Sequence, residues 1–181
     1  DVATKQADIY QAGLTIYRMC NGNNDFHDQF SYWNNQKRLR YAIEKEKFPA
    51  REYLPHIPSK LRKAINKALK ANPDERYQTI VDMMNDISKI EENLDTRCYH
   101  EDDNNWTWQK DNTNETHYDK ISVIFEDTGI ITKGLKVRTS DGKTANIKYL
   151  NSSGYNDTKE AFKFIEKYNS RSLPQLLNTS L

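Results

Sequence analysis

The residues able to do nucleophilic, acid–base or metal chemistry are few and scattered. Histidines stand at 27, 56, 100 and 117 and cysteines at 20 and 98. No Ser, His and Asp set and no Cys and His set has a spacing that defines a nucleophile with its base, so no catalytic residue is assigned. Cys98, His100 and His117 match no zinc spacing, and a polar linker accounts for them, so no metal ligand is assigned either. What remains is charge on an alternating pattern. Leu135-Lys136-Val137-Arg138 and Ala145-Asn146-Ile147-Lys148-Tyr149 flank Asp141-Gly142, a strong hairpin signal. Strand side chains alternate, which predicts Lys136, Arg138 and Lys148 on the face opposite Leu135, Val137, Ile147 and Tyr149. Such a basic strip is either a solvated face that resists edge pairing or a docking surface for an acidic partner. Trp106, Trp108 and Tyr149 are expected in a core, so a nucleic-acid partner is not favoured.

The bulk properties point to no partner class. The 181 residues carry 27 basic and 26 acidic side chains, a net charge of +1, which gives no argument for a polyanionic partner. The balance conceals local segregation: residues 98–129 hold eight acids against Lys110 and Lys120, and residues 130–150 hold five basic residues against Asp141 alone. No apolar run approaches the roughly 18 residues of a membrane span. The amino end carries no leader pattern, and two cysteines without a C-x-x-C pair suit a reducing compartment, so the chain is expected to be cytoplasmic. The N-x-S/T triplets at Asn105, Asn114, Asn151, Asn156 and Asn178 then read as chance in an Asn-rich chain.

The elements that must position these residues change character near residue 97, and an α+β chain is predicted. Residues 1–97 read as an all-α unit, 98–170 as an antiparallel β-meander of about four strands with a covering helix, and 171–181 as a tail. A helix from Asp8 to Cys20 is apolar on nearly every face and therefore buried. Phe26, Phe30, Tyr32 and Trp33 are expected in a loop, followed by a helix from Ser31 to Glu46 with Leu39 and Ile43 on one side. Pro49, Pro55 and Pro58 enforce an extended segment, and Pro58 starts a helix bearing Leu61, Ala64, Ile65, Ala68 and Leu69. A long helix from Arg76 to Leu94 spaces Tyr77, Ile80, Val81, Met84, Ile87 and Ile90 at helical intervals. In the second unit Asp157-x-x-Glu160 is a capping box opening a helix with Ala161, Phe162, Ile165 and Tyr168 on one face.

Two stretches of the helical region, some 65 residues apart, resemble the carboxy-terminal lobe of the Ser/Thr protein kinase family. Asp8-Ile9-Tyr10-Gln11-Ala12-Gly13-Leu14-Thr15-Ile16-Tyr17, then Asn21-Gly22 and Phe26, is similar to the family's F helix and the loop after it. Ile57-Pro58-Ser59-Lys60-Leu61, followed by Lys67-Ala68-Leu69-Lys70-Ala71-Asn72-Pro73-Asp74-Glu75-Arg76-Tyr77-Gln78-Thr79, resembles its closing H helix, turn and I helix. The resemblance covers about the first 95 residues.

It implies that Asp8 holds the backbone of a catalytic loop and that Arg76 pairs with the Glu of an Ala-Pro-Glu segment. Taken alone, Asp8 reads as a helix cap and Arg76 as a solvated first-turn residue. The resemblance further implies that Trp33 and Tyr41, on a G-like helix, face protein substrates or regulators. ATP and Mg are expected for an intact parent and no cofactor for this chain, because the Gly-rich loop, the strand Lys, H-R-D-x-x-x-x-N and D-F-G are absent from the sequence. Asp25-Phe26-His27 lacks the Gly and follows the F-like helix instead of preceding it, so Phe26 is expected to pack. The chain is read as the carboxy-terminal portion of a kinase, silent by itself, whose Asp8 and Arg76 lack their partners and need a protein partner or the missing segment to cover them. The alternative is a stand-alone kinase-like scaffold that binds a partner protein.

Overall fold

A computed structural model describes residues 5–92, 96–102, 105–112 and 115–169. The fold is α+β, and the chain divides into two compact units between Glu91 and Glu92. The division falls ahead of the expected boundary because Thr96 and Arg97 already belong to a strand.

The first unit is all-helical: α1 Lys5–Asn21, α2 Asn23–Tyr32, α3 Gln36–Glu44, α4 Ser59–Ala68 and α5 Ile80–Ile87. Helix α1 buries Ile9, Tyr10, Gly13 and Tyr17, but it is not buried on every face as expected, since Asp8, Gln11, Thr15 and Met19 form an exposed stripe. Gly13 permits the approach of α4, since a Cβ there would lie 2.9 Å from the Cβ of Ala68. Gly22, at φ +88°, separates α1 from α2. Phe26, Phe30 and Tyr32 therefore sit on a helix and not in the expected loop. The predicted helix from Ser31 to Glu46 is split as well: Trp33 caps the end of α2, and Asn35 starts α3 by accepting the Arg38 N–H at 3.0 Å. The predicted helix from Arg76 is shortened, because Thr79 is its N-cap, accepting the Asp82 N–H at 3.1 Å. That start turns Met83 inward and leaves Ile80, Val81 and Met84 outward. Leu94 lies outside the described residues.

Between α3 and α4 the extended segment is fastened by side chains reaching main chain. Arg62 donates from Nε to the Ile57 carbonyl at 2.7 Å, Arg51 from Nη2 to the Leu69 carbonyl at 2.8 Å, and the Tyr53 hydroxyl to Asn66 at 2.7 Å. The Phe48–Pro49 peptide bond within it is cis.

The second unit is one six-stranded antiparallel sheet with a helix. Strands β1 Thr96–Asp102, β2 Asn105–Asp111, β3 His117–Glu126, β4 Gly129–Arg138 and β5 Thr144–Asn146 pair in sequence order, and β6 Ser152–Tyr155 pairs with β4. Helix α6, Thr158–Asn169, packs Ala161 and Ile165 onto Trp108, Ile121, Val123 and Leu150. Asp157 accepts the Glu160 N–H at 2.8 Å and Glu160 accepts the Asn156 N–H at 3.0 Å, a capping box displaced by one residue on its return arm. The Tyr168 side chain and residues 170–181 lie outside the described residues.

Gly134 fixes how the end of the meander docks. Its N–H donates to the Asn151 side chain at 2.8 Å, its carbonyl accepts from Ile147 N at 2.9 Å, and the space of a Cβ is filled by Leu150, 2.4 Å from Leu150 Cβ. This ends β5 at Asn146, and Lys148–Leu150 form a 3₁₀ turn in place of the predicted strand. Leu150 is then the buried residue, and Tyr149 stays 55% exposed, against expectation.

Two outcomes follow for stability. Gly134→Ala should lower the unfolding free energy of the sheet unit by about 1–3 kcal/mol, the usual range for overpacking, read as a drop in the urea midpoint by Trp fluorescence. Burial, assisted by the Arg62 charge, lowers the His56 pKa to about 4 from an ordinary 6.5. Between those values the unfolded chain binds the extra proton, so this contribution is whole above about pH 6.5 and is lost as pH falls towards 4. The midpoint should fall over that window, and His56→Gln should flatten the slope; equal slopes would remove His56 as the cause.

Candidate functional site

Of the two residues assigned to brace a kinase site, Arg76 is fastened to the first turn of α1 and Asp8 is exposed in that turn. Arg76 follows the 3₁₀ turn Pro73–Glu75, which Asn72 caps by accepting the Asp74 N–H at 3.1 Å. From there its guanidinium reaches three carbonyls: Nε to Lys70 at 2.7 Å, Nη1 to Gln6 at 2.8 Å and Nη2 to Ala71 at 3.0 Å. It also lies 4.8 Å over the Tyr10 ring. Burial lowers the Arg76 pKa, while the Tyr10 hydroxyl acts in the opposite direction. Arg76 is thus neither a solvated first-turn residue nor an unpaired charge. Two of its three acceptors, Lys70 and Ala71, are main-chain oxygens just past the end of α4, where the helix dipole also favours a cation.

Glu46, at φ +53°, completes the clamp by accepting from Lys70 Nζ at 3.2 Å and from Ala71 N at 3.1 Å. Desolvation raises its pKa, but the Ala71 N–H and Lys70 outweigh it and hold the carboxyl below its usual range. Asp8 is two residues beyond Gln6 and exposed, inside α1 and not at its cap, since Lys5 is already helical. Among the described residues its carboxylate has no recorded partner.

Trp33 and Tyr41 are not brought together into one site. Trp33 lines a surface groove of about 560 Å³ with Phe30, Leu39, Asn34, Asn35 and Gln36. Tyr41 lies outside the groove lining, 49% exposed, with Lys47 Nζ 5.5 Å from its ring. The sequence reading placed Phe30 in a loop and Leu39 on a helix side, and named neither as a site residue. The signal that joins them is Asn34-Asn35, a turn pair between an aromatic stretch and the next helix. Asp25-Phe26-His27 forms part of α2: Phe26 packs 5.5 Å from Phe48 beneath the Arg18 guanidinium, and Asp25 accepts from Gln29 at 2.7 Å.

The basic strip is dispersed. Lys136 and Arg138 share the face of Thr132 and Gly134, which is the face α6 covers, and they emerge beyond its cover. Lys136 stands between Asp119 and Ala145 in the ladder, and Arg138 pairs with Asp141 at 3.2 Å. Lys148 lies off the ladder, in the 3₁₀ turn. Trp106 and Trp108 stack on each other at 6.1 Å, and Phe162 meets both at 5.5 Å. Cys98 and His100 are on β1 and not in a linker, and β2 separates them from His117. Both cysteines are free thiols, and burial raises their pKa values to about 11 at Cys20 and about 12 at Cys98. Among the described residues no group of His, Cys, Asp and Glu could hold a metal ion, and no helix is long and apolar enough to cross a membrane.

No protein-family model, curated protein or solved structure matches the chain.

Replacing Arg76 tests the clamp. Arg76→Ala removes three charge-assisted hydrogen bonds from a half-buried site and should lower the stability of the helical unit by about 2–4 kcal/mol. Arg76→Lys should recover less than half of that loss, because one ammonium can neither meet three divergent carbonyls nor stack on Tyr10. Urea unfolding followed by far-UV circular dichroism reads both.

Proposed function

We propose that the helical unit is the F-to-I-helix portion of a Ser/Thr protein kinase lobe, silent in phosphoryl transfer by itself, and that the sheet unit is an appended interaction or regulatory domain. The observation that carries this reading is the Asp8 carboxylate, exposed in the first turn of the helix whose other side fills the core of the unit. Arg76, 68 positions after Asp8 in the sequence, is fastened to the same turn through the Gln6 carbonyl. A segment docked there would find an acceptor for backbone N–H groups already held in place by a rigid helix. A cytoplasmic setting fits two free thiols.

The residues present do not fit Mg-ATP. The D-F-H stretch is absorbed into a packed helix, and no described cluster suits a divalent ion. ATP and Mg therefore belong to the intact parent in this reading, and no step of the reaction is assigned to these 181 residues.

One observation favours the alternative of a stand-alone scaffold binding a partner protein. Arg76 is satisfied within the helical unit, so that unit does not need a carboxylate from another segment.

The coding sequence upstream of Asp1 separates the two. The kinase reading expects H-R-D-x-x-x-x-N and D-F-G in frame there, and their absence would refute it. In the longer protein, Asp8→Ala should lower kcat by at least about tenfold, the effect expected when a catalytic group is misplaced, with the unfolding midpoint unchanged. The 181-residue chain alone should neither bind Mg-ATP nor transfer phosphate.

A further inference from the structure

The groove at the turn between α2 and α3 combines an apolar floor with a cation, Arg38, bonded to its edge, and two more cations lie on the same helix. Phe30, Trp33 and Leu39 supply the floor, and Asn34, Asn35 and Gln36 supply amides able to bond a peptide main chain. Phe30 is 50% exposed and Tyr32 66%, more aromatic surface than this small unit leaves open elsewhere on α1–α4 apart from Tyr41. The Arg38 guanidinium sits at the rim, 3.5 Å from Asn34 Oδ1 and 6.0 Å over the Tyr32 ring. Lys37 and Arg40 are exposed on the same helix and have no recorded partner among the described residues. Of the neighbouring acids, Glu46 is engaged by Lys70 and Ala71 and Asp25 by Gln29, while Asp28 and Glu44 form no ion pair with these three cations among the described residues.

We propose that this groove binds an acidic peptide segment of a partner protein. A bulky apolar side chain of the partner enters between Phe30, Trp33 and Leu39, and flanking Asp or Glu residues meet Arg38, Arg40 and Lys37. A buried aromatic anchor with a charged rim is the usual division of labour at such interfaces. Single-stranded nucleic acid also uses aromatic and basic side chains, but it requires a cationic track along its backbone. Here the cations are confined to one short helix, and Asp28 and Glu44 interrupt the surroundings. The proposal holds on either reading of the chain's function, because it needs only the α2–α3 corner.

Selection of a random-peptide phage library on the immobilised 181-residue chain tests it. Enriched peptides should carry an aromatic or large aliphatic residue beside Asp or Glu. The best of them, labelled with fluorescein, should bind by anisotropy with an affinity that falls as salt rises. Arg38→Glu with Arg40→Glu, both exposed on α3, should weaken that binding by at least about tenfold. A peptide with its acids changed to Lys should bind this variant better than it binds the wild type. Lys136→Glu, in the sheet unit, should change nothing. Circular dichroism verifies that each variant folds. The proposal is overturned if no peptide is enriched over bare support, if enriched peptides lack acids, if charge reversal has no effect, or if oligo-dT binds more tightly than the peptides. Those outcomes leave the kinase reading intact, since that reading stands on the upstream motifs.

Discussion

The helical unit depends on one guanidinium. A chain that crosses from the end of α4 to the start of α5 must turn sharply, and the turn leaves the carbonyls of Lys70 and Ala71 without helical partners. Arg76 takes both and, with its third bond, ties the turn to Gln6 on α1. Glu46 meets the same turn from the other side through Ala71 N and Lys70 Nζ. Thus α1, the segment after α3, the end of α4 and the approach to α5 are fastened at one point. Tyr10 lies beneath it, with its own hydroxyl 3.4 Å from the Phe48 carbonyl. Only Arg can do this at a single position, since its donors diverge in a fixed plane and its face stacks on an aromatic ring.

In the sheet unit the equivalent constraint is an absence of side chain. Gly134 is the strand position where another segment lies directly on the backbone, so the 147–151 segment descends onto the sheet and delivers Leu150 to the core. Thr132 consolidates the contact by donating to the Leu150 carbonyl at 2.8 Å. Because the cover sits on the Thr132 and Gly134 face, the next residues of that face, Lys136 and Arg138, can be charged only where the cover ends. The basic pattern is therefore a boundary of the core. Lys136 stands across the ladder from Asp119, and Arg138 shares Asp141 in the turn with Lys143.

The parts of this architecture legible in the sequence were those set by a single local rule. Asp141-Gly142 identified the hairpin and Asp157 with Glu160 the start of α6, while the apolar run of α1 identified its buried face but not its exposed stripe. The errors arose where a short polar side chain competes with periodicity. Asn35 and Thr79 each capture a backbone N–H three residues on and restart a helix inside an apolar pattern that reads as continuous. Strand β1 was missed because Arg97, Cys98 and Tyr99 alternate too briefly among acids, and its pairing with β2 is a tertiary fact. At the candidate site, the sequence singled out Arg76 but not the three carbonyls it bonds. A resemblance supplies a partner carboxylate, whereas the bonds to three carbonyls depend on where α4 ends.

That difference bears on how the chain is to be understood. An Arg that needed a distant carboxylate would leave a half-buried charge uncompensated whenever the partner segment was absent, and the helical unit would be marginal. An Arg satisfied by local carbonyls stabilises the unit first and leaves recognition to other groups. Asp8 then becomes the more informative residue of the pair. Its carboxylate is exposed in the first turn of α1, on the side of the helix away from the core. An acid near the positive end of a helix dipole is favourably placed by its own fold, and the same carboxylate offers a fixed acceptor to a segment that docks against the amino end of α1.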